Sequence, residues 1–562
     1  MTEFNPSPKD FLFVPLGGCN EIGMNLNLYG YDGKWLMVDL GVTFGEALGV
    51  EVFTPDPEFI IDRKDDLAGL LLTHAHEDHI GAVPYLWKYL QCPIYATPFT
   101  VDLVRRKLDD VGLLKKAKII EIPLSGTVDI GPFNINLITL THSIPEPNGV
   151  AIKTPLGTVL HTGDWKLDPD PIIGSQPDEK ALRKLGKEGV LAMVCDSTNV
   201  FEPDNSGSEG EVQEGLIDVM GRYKDSMIVV ASFASNVARL ESIATAAQKL
   251  GRKVTLVGRS LDRMNYAARS LGYLKNVAPF ISHQEAQSVP RDKLVLISTG
   301  SQGESRAALN RIAHQQHRSF HIEHGDVVIF SSRIIPGNEK RISALMNTLV
   351  RLGAEIVVQN KLLGKTKIPV SGHPARDELR EMYEWIKPKV AIPVHGEPRH
   401  LREHARFAEE CGIKNAIVPC NGSVVKLAPG ETKIIDQVTA GQLALDGSVL
   451  VSSNSLVLRE RKRMSVHGTA VVTLVFDRQE ELAEDPQITL HGVISETETE
   501  ERAKRLYTDI VREISRSLDE LPPHKRERDS AIEEATRVAL RRAVNQRLGK
   551  KPLTEVHVVR IN

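Results

Sequence analysis

Short apolar runs recur along the whole chain, and their rhythm changes twice. Over the first ~200 residues they read as strands parted by turns, with helices between. Residues 25–28 and 34–39 flank Tyr31-Asp32-Gly33 and predict a hairpin. Residues 67–72 form an apolar strand, a helix is expected over 81–90, and further strands fit 118–122, 134–140, 149–153, 158–161 and 191–194. From Ser226 the strands 227–231, 253–257, 294–297, 327–330 and 354–358 alternate with helical stretches, as in a parallel sheet with crossovers. Two of those helices, 236–250 and 338–352, open on Asn as an N-cap. A third unit is expected over 465–562. There, strands 469–476 and 487–493 pair across an acidic loop, and Ser530-Ala531-Ile532-Glu533 has capping-box form. Ile532, Ala535, Ala539 and Ala543 then recur at helical spacing, and 555–561 alternates like a strand.

With 562 residues the chain is too long for one core. Its 41% hydrophobic and 25% charged residues are those of a globular protein. No apolar run reaches the ~20 residues that span a membrane. The first ten residues lack the charged-then-apolar order of a signal peptide. Five scattered cysteines form no CxxC pair, which favours free thiols in a reducing cytoplasm and a metal site without thiolates. A net charge of −4 argues against a non-specific polyanion binder but leaves room for a local basic channel. The run Arg459-Glu460-Arg461-Lys462-Arg463 reads first as a solvated linker, and second as an RNA-contacting or interface segment.

The chemistry concentrates in His74-Ala75-His76-Glu77-Asp78-His79, directly after the strand 67–72. Imidazoles and a carboxylate in one small volume suit zinc or a similar divalent ion, and a packed core has no use for them unpartnered. Asp39, His142, Asp164 and Asp196 each follow a predicted strand. Singly they are turn residues; in this order they form a constellation.

In that order the residues resemble the signature of the metallo-β-lactamase superfamily, HxHxDH followed by a distant His and a distant Asp. His74, His76, Asp78 and His79 carry its first part, His142 the second and Asp164 the third. The resemblance implies an α/β fold, the αββα sandwich, holding two divalent metal ions: zinc first, with manganese or magnesium as substitutes. It assigns His74, His76, His142 and Asp164 to one ion, and Asp78, His79, Asp164 and His395 to the other. Pro369-Val370-Ser371-Gly372-His373 and Pro393-Val394-His395-Gly396-Glu397 are similar to late motifs of the β-CASP branch. Members of that branch process nucleic acids and carry a second α/β domain inserted in the sandwich. Asp196 fits the first β-CASP motif, His373 the second and His395 the third; Ser232-Phe233-Ala234-Ser235-Asn236 fits the start of the inserted domain. A histidine at the third motif goes with RNA in that branch. With its C-terminal unit, the whole chain resembles the bacterial ribonuclease J family.

This resemblance implies residues 1–215 as the first part of the lactamase domain and 216–388 as the inserted domain. Residues 389–464 are the return and a linker, and 465–562 a small C-terminal α/β domain that supports dimerisation. It also implies a zinc-dependent nuclease on single-stranded RNA, in cytoplasmic RNA maturation and decay. Such an enzyme would be a 5′-to-3′ exonuclease favouring 5′-monophosphate ends and an endonuclease, working as a homodimer or homotetramer away from membranes. Asp78, Asp196, His373 and Asp39 are the catalytic candidates. Pro369, Val370, Ser371, Gly372, His373, Ser235 and Asn236 are candidates for a 5′-phosphate pocket; for Ser235-Asn236 a helix N-cap is an equal reading. A structural calcium near residues 49–51 would take Glu51 and Asp446. Physics favours the same reaction, because two divalent ions make hydroxide available near neutral pH and stabilise the charge of a phosphodiester transition state. His373 would contact the phosphate or protonate the leaving 3′-oxygen. The competing readings are a DNA-processing nuclease of the same branch, a small-molecule ester or thioester hydrolase, and a non-catalytic RNA-binding protein. His395, the large insertion and the complete ligand set count against them in turn.

Overall fold

The computed structural model describes residues 6–47, 49–359, 366–494 and 500–561. Contacts divide the chain into two units, residues 1–44 with 52–442, and residues 45–51 with 443–562.

The larger unit is built on two facing sheets. One has eight strands in the order Lys433–Gln437, Ser423–Ala428, Phe11–Gly17, Leu26–Tyr31, Lys34–Val38, Leu67–Leu71, Ile94–Ala96 and Ile119–Glu121. The other has seven, in the order Asn415–Ala416, Val390–Val394, Ala192–Asp196, Gly157–His161, Asn148–Thr154, Phe133–Thr139 and Thr127–Ile130. Their inner faces interdigitate: Phe11, Phe13, Tyr29 and Val38 from one meet Ile135, Val150, Val159 and Ile392 from the other. Alternate residues of a strand face opposite ways, so the same strands also present Leu160, Met193 and Ala391 outward. There the helices Glu179–Glu188, Arg376–Ile386 and Pro398–Glu410 cover them with Leu182, Leu379, Met382 and Phe407. On the eight-stranded sheet, Trp35 meets Phe59 of the helix Glu58–Ile61 edge to face. The outcome is helix, sheet, sheet, helix.

After Asp196 the chain leaves this sandwich and builds a five-stranded parallel sheet, in the order Lys253–Val257, Leu294–Ser298, Ile228–Ala231, Val327–Phe330 and Glu355–Val357. It returns as Val390–Val394, which pairs in parallel with the strand it left, Ala192–Asp196. The expected strands of this region are all present, within a residue or two at the ends. The expected hairpin runs over Leu26–Tyr31 and Lys34–Val38, turning through Asp32 and Gly33 at positive φ.

In the smaller unit, Thr469–Phe476 pairs antiparallel with Gln487–His491 and parallel with Leu553–Arg560. The helices Glu500–Asp519 and Asp529–Leu548 bury Ile510, Ile514, Ile532, Ala539 and Ala543 against Val472 and Leu474. Three local expectations fail. Ser530 is not a cap, because the helix already starts at Asp529 with Arg528 in the N-cap position. Asn338 makes no cap bond, because its backbone is already helical rather than extended, and its amide nitrogen donates to Gln302 Oε1 at 3.3 Å. The basic run 459–463 is no linker but lies within the helix Leu456–His467. There Arg461 grips both carboxylate oxygens of Asp446 at 2.8 Å. No metal-capable group among the described residues includes Glu51 or Asp446.

Asn236 does cap its helix, accepting the N–H of Arg239 at 2.9 Å. Arg239 is buried and makes a bidentate pair with Glu209, both oxygens at 3.0 Å from Nη2. Its other Nη donates to the Ser331 carbonyl and hydroxyl and to Ile368 O. One side chain therefore ties the inserted sheet to the segment that leads into Ser371. Removing the cation alone would strand a buried carboxylate. Arg239→Met is expected to cost ~3–5 kcal/mol. The double variant Arg239→Met/Glu209→Met is expected to regain most of that loss, read from urea unfolding midpoints.

Candidate metal centre

The strand Leu67–Leu71 delivers the histidine cluster to the edge of the sandwich. The chain leaves it extended through His76 and then turns into the short helix Glu77–Ile80. Asp39, just past the strand Lys34–Val38 and at φ 64°, accepts the N–H of Thr73 at 2.8 Å, which fixes where the cluster begins. Gly41 backs onto the cluster so closely that a Cβ would stand 1.7 Å from Asp78 O; only glycine fits there. His142 follows the strand Phe133–Thr139 and Asp164 follows Gly157–His161. Asp196 and His395 end neighbouring parallel strands, so the return of the chain brings the late motif to the early ones.

The structure gathers the seven predicted metal ligands into two sets that share Asp164. In the first, His76 Nδ1 stands 3.1 Å from His74 Nε2 and 2.9 Å from His142 Nε2. The outer nitrogens are already engaged: His142 Nδ1 donates to Gly372 O, and His74 Nδ1 faces Thr73 Oγ1 at 3.0 Å. His74 and His142 therefore turn bare Nε2 lone pairs toward His76, an arrangement that a cation among them relieves. In the second set, His79 Nε2 lies 3.5 Å from Asp78 and 3.1 Å from Asp164, and His395 Nε2 lies 3.7 and 3.6 Å from the same carboxylates. His395 donates its other N–H to Asn25 Oδ1 at 3.0 Å, and the backbone at φ 53° is held by a bond from its N–H to Gly18 O. These donors fit two divalent ions.

The two ligand sets differ in protonation. Burial holds His74 and His142 well below the ordinary imidazole range and brings His76 to about 4, so these rings are neutral at pH 7. Burial would raise Asp78 and Asp164, but the imidazoles of His79 and His395 outweigh it and keep both carboxylates ionised. Neutral imidazoles and ionised carboxylates are the ligating forms. Burial would lower His79 too, but Asp164, Asp78 and Asp39 prevail and raise it well above the ordinary imidazole range, so an entering ion displaces its proton.

His373 stands outside both sets, its Nδ1 2.7 Å from Asp196 Oδ2 and 3.9 Å from Asp164 Oδ2. Burial would lower its pKa, but the Asp196 carboxylate prevails and lifts it to about 9. The other oxygen of Asp196 accepts the N–H and hydroxyl of Thr198 at 2.9 and 2.7 Å. Asp39 stands behind the centre, buried, and accepts from His79 Nδ1 at 2.7 Å. It therefore acts through His79 as a positioning residue.

The phosphate-pocket candidates divide. Ser371 Oγ accepts from Asn199 Nδ2 at 2.6 Å and from the His373 N–H at 3.2 Å. Gly372 lies against His142, where a Cβ would meet the ring at 2.8 Å. Pro369, Val370 and Ser235 are half-buried. Asn236 is spent on the helix cap and on Glu209, 3.4 Å from its amide nitrogen, so the cap reading holds for that residue. Beside His142 opens a cavity of about 480 Å³ lined also by Glu146, Asp168, Glu209 and Tyr273. Sequence reasoning missed Asn25 and Asn199, which hold His395 and the Ser371–His373 loop across long sequence separations, and Thr73, which links its neighbour His74 to Asp39. Nothing in the hydrophobic pattern singles out such residues.

Asp39→Asn removes the charge behind His79 without changing shape. It is expected to weaken metal binding about 10- to 100-fold with the fold intact. Metal content after dialysis against graded chelator, beside circular dichroism, checks this.

Family comparisons agree with this architecture along the chain. Residues 25–185 match the metallo-beta-lactamase superfamily, and 225–349 the ribonuclease J beta-CASP domain. Residues 363–419 match a Zn-dependent metallo-hydrolase RNA specificity domain, and 456–561 the ribonuclease J C-terminal domain. The chain is 39% identical to "Ribonuclease J" of Sinorhizobium meliloti, with 98% of each chain covered. It is 34% identical to "Ribonuclease J2" of Bacillus subtilis, over 96% of this chain and 97% of that one. It is 32% identical to "Ribonuclease J" of Helicobacter pylori strain 26695, over 97% of this chain and 79% of that one. A crystal structure of a protein of unknown function from Enterococcus faecalis shares the fold, with a TM-score of 0.53 and 16% identity, covering 74% of this chain and all of the other. Sandwich, inserted domain, C-terminal domain and metal-ready centre thus meet in one assignment: the chain belongs to the ribonuclease J family.

Proposed function

We propose that this protein is a ribonuclease with two metal ions, zinc first, that hydrolyses single-stranded RNA from 5′-monophosphate ends and also cuts internally. The observation that carries the reading is Asp164 Oδ2, within 3.1 to 3.9 Å of nitrogens from His74, His79, His142, His373 and His395. One carboxylate shared by two ligand sets is the arrangement a phosphodiesterase centre needs. Divalent ions held there would supply Lewis acidity and lower the pKa of water toward 7. His373, kept charged by Asp196, stands at the edge of the centre as the proton donor to the leaving 3′-oxygen. The products are a 5′-phosphate and a 3′-hydroxyl. Ser371 accepts two hydrogen bonds, so its own proton remains to be donated to a phosphate oxygen.

We assign the enzyme to RNA maturation and decay in the cytoplasm, as a homodimer or homotetramer. Support for a location away from membranes is that no described helix is long and apolar enough to cross one. His395 and the RNA-specificity match favour RNA over DNA, and the inserted domain favours a polymer over a small ester.

The test is a time course on one RNA with a 5′-monophosphate, its 5′-triphosphate form and the DNA counterpart. Wild type should release mononucleotides from the monophosphate RNA, while His76→Ala and the chelated enzyme should not. Cleavage of DNA but not RNA would move the chain to the DNA-processing branch, and turnover of small esters alone to the hydrolase reading. Replacing His373 by Ala is expected to lower kcat about 10²- to 10⁴-fold with metal retained. Ser371→Ala is expected to reduce the preference for monophosphate over triphosphate ends about tenfold, the worth of one hydrogen bond to a charged group.

A further inference from the structure

The loop that follows Asp196 is held rigidly against the centre. Thr198 Oγ1 bonds Asp196 and lies 3.3 Å from His395 O. Asn199 donates to Ser371 Oγ at 2.6 Å and to His373 O at 3.0 Å. Val200 is buried, and its carbonyl accepts from Arg376 Nε at 3.0 Å. The next side chain, Phe201, turns outward and is 48% exposed. A large aromatic ring is fixed five residues from a catalytic candidate, with much of its surface open to solvent.

What surrounds the ring is also set. The ring lies 5.2 Å from His400 at 62°, and the Arg399 guanidinium stands 5.6 Å from its centroid. Arg399 is oriented by Glu397 at 3.0 Å in an exposed pair that a competing anion replaces at little cost. Buried His400 makes no hydrogen bond through Nδ1; the nearest carboxylate, Glu397, is 3.8 Å away. The next residue, Glu202, pairs with Arg333 of the inserted domain at 3.1 Å. Arg333 opens a loop whose Ile334 and Ile335 are 50% and 46% exposed. Gln302 pins that loop through Arg333 O at 2.9 Å and the Ile335 N–H at 2.9 Å. The rim of the centre thus carries apolar side chains and guanidinium groups on both the sandwich and the inserted domain.

We propose that Phe201, with Arg399 beside it, is a nucleobase-stacking subsite for single-stranded RNA at the rim of the metal centre. The proposal rests on the ribonuclease reading above. Stacking on an aromatic face is open to every base, so the subsite grips a strand without choosing its sequence. A duplex keeps its base faces covered and gains nothing there, so the subsite favours unpaired RNA. RNA is the occupant because the ring shares its loop with Asn199, which holds the Ser371–His373 segment. A strand seated on that segment runs beside Phe201.

The experiment compares wild type, Phe201→Ala and Phe201→Trp, all metal-loaded, on one unstructured 5′-monophosphorylated RNA. Phe201→Ala should raise KM about tenfold, the worth of one stacked base, with kcat within about twofold of wild type. Phe201→Trp should restore the wild-type KM, and its added fluorescence should be quenched by RNA. Ile334→Ala, on the opposite side, should raise KM by a smaller factor. An unchanged KM in Phe201→Ala overturns the proposal. If that variant instead shifts the oligomeric state, the patch belongs to a second copy of this chain. A raised KM that Trp does not restore also overturns it, because loop packing then explains the loss. Failure of the ribonuclease reading looks different: wild type itself would leave RNA uncut.

Discussion

The Oδ2 atom of Asp164 stands within 3.1 to 3.9 Å of nitrogens from five histidines, and the side chain is buried. A buried carboxylate costs several kcal/mol unless positive charge or hydrogen bonds surround it. Here burial also strips His74, His76 and His142 of their protons, so the rings bring lone pairs rather than charge. The cluster is therefore a cage of donors that fits divalent cations. The second layer of hydrogen bonds follows from the same need. Gly372 O, Thr73, Asp39 and Asn25 each engage the outer nitrogen of a ligand imidazole, which fixes ring orientation and leaves the inner nitrogen free.

The topology of the insertion serves that cage. A strand that leaves one sheet, builds another and returns beside its own starting strand places its two ends side by side. The parallel register pairs Asp196 with Val394, so His395 emerges next to Asp196 although 199 residues separate them in sequence. His373, on the way back, then meets Asp196 at 2.7 Å. Buried Arg239 and its partner Glu209 tie the inserted sheet to the segment before Ser371, so the second domain sets the geometry of the late motif.

Much of this was legible beforehand, for identifiable reasons. Apolar runs bounded by turns located the parallel sheet, because strands buried on both faces read as continuous hydrophobic segments. The histidine cluster was legible because its ligands are adjacent in sequence. What failed was local chemistry decided by distant neighbours. Asn338 has the right identity for a cap, but its backbone is already helical there, so its side chain does not reach the free N–H groups. Ser530 begins a capping-box pattern, yet the helix starts one residue earlier. The run 459–463 looks like a solvated linker, but continues a helix with Arg461 anchored on Asp446.

The order of the candidate metal ligands, the three rhythms of secondary structure and the family were all legible along the chain itself. Those are properties of residue type and spacing along the chain. The tertiary structure placed Asp39 behind His79 and Asn236 at a helix N-cap. It alone decided that Asn25 orients His395 from 370 residues away, and that Phe201 faces outward at the rim. Each of these is a hydrogen-bond or burial outcome between segments far apart in sequence, and such an outcome exists only once the backbone has fixed which groups compete for the same partner.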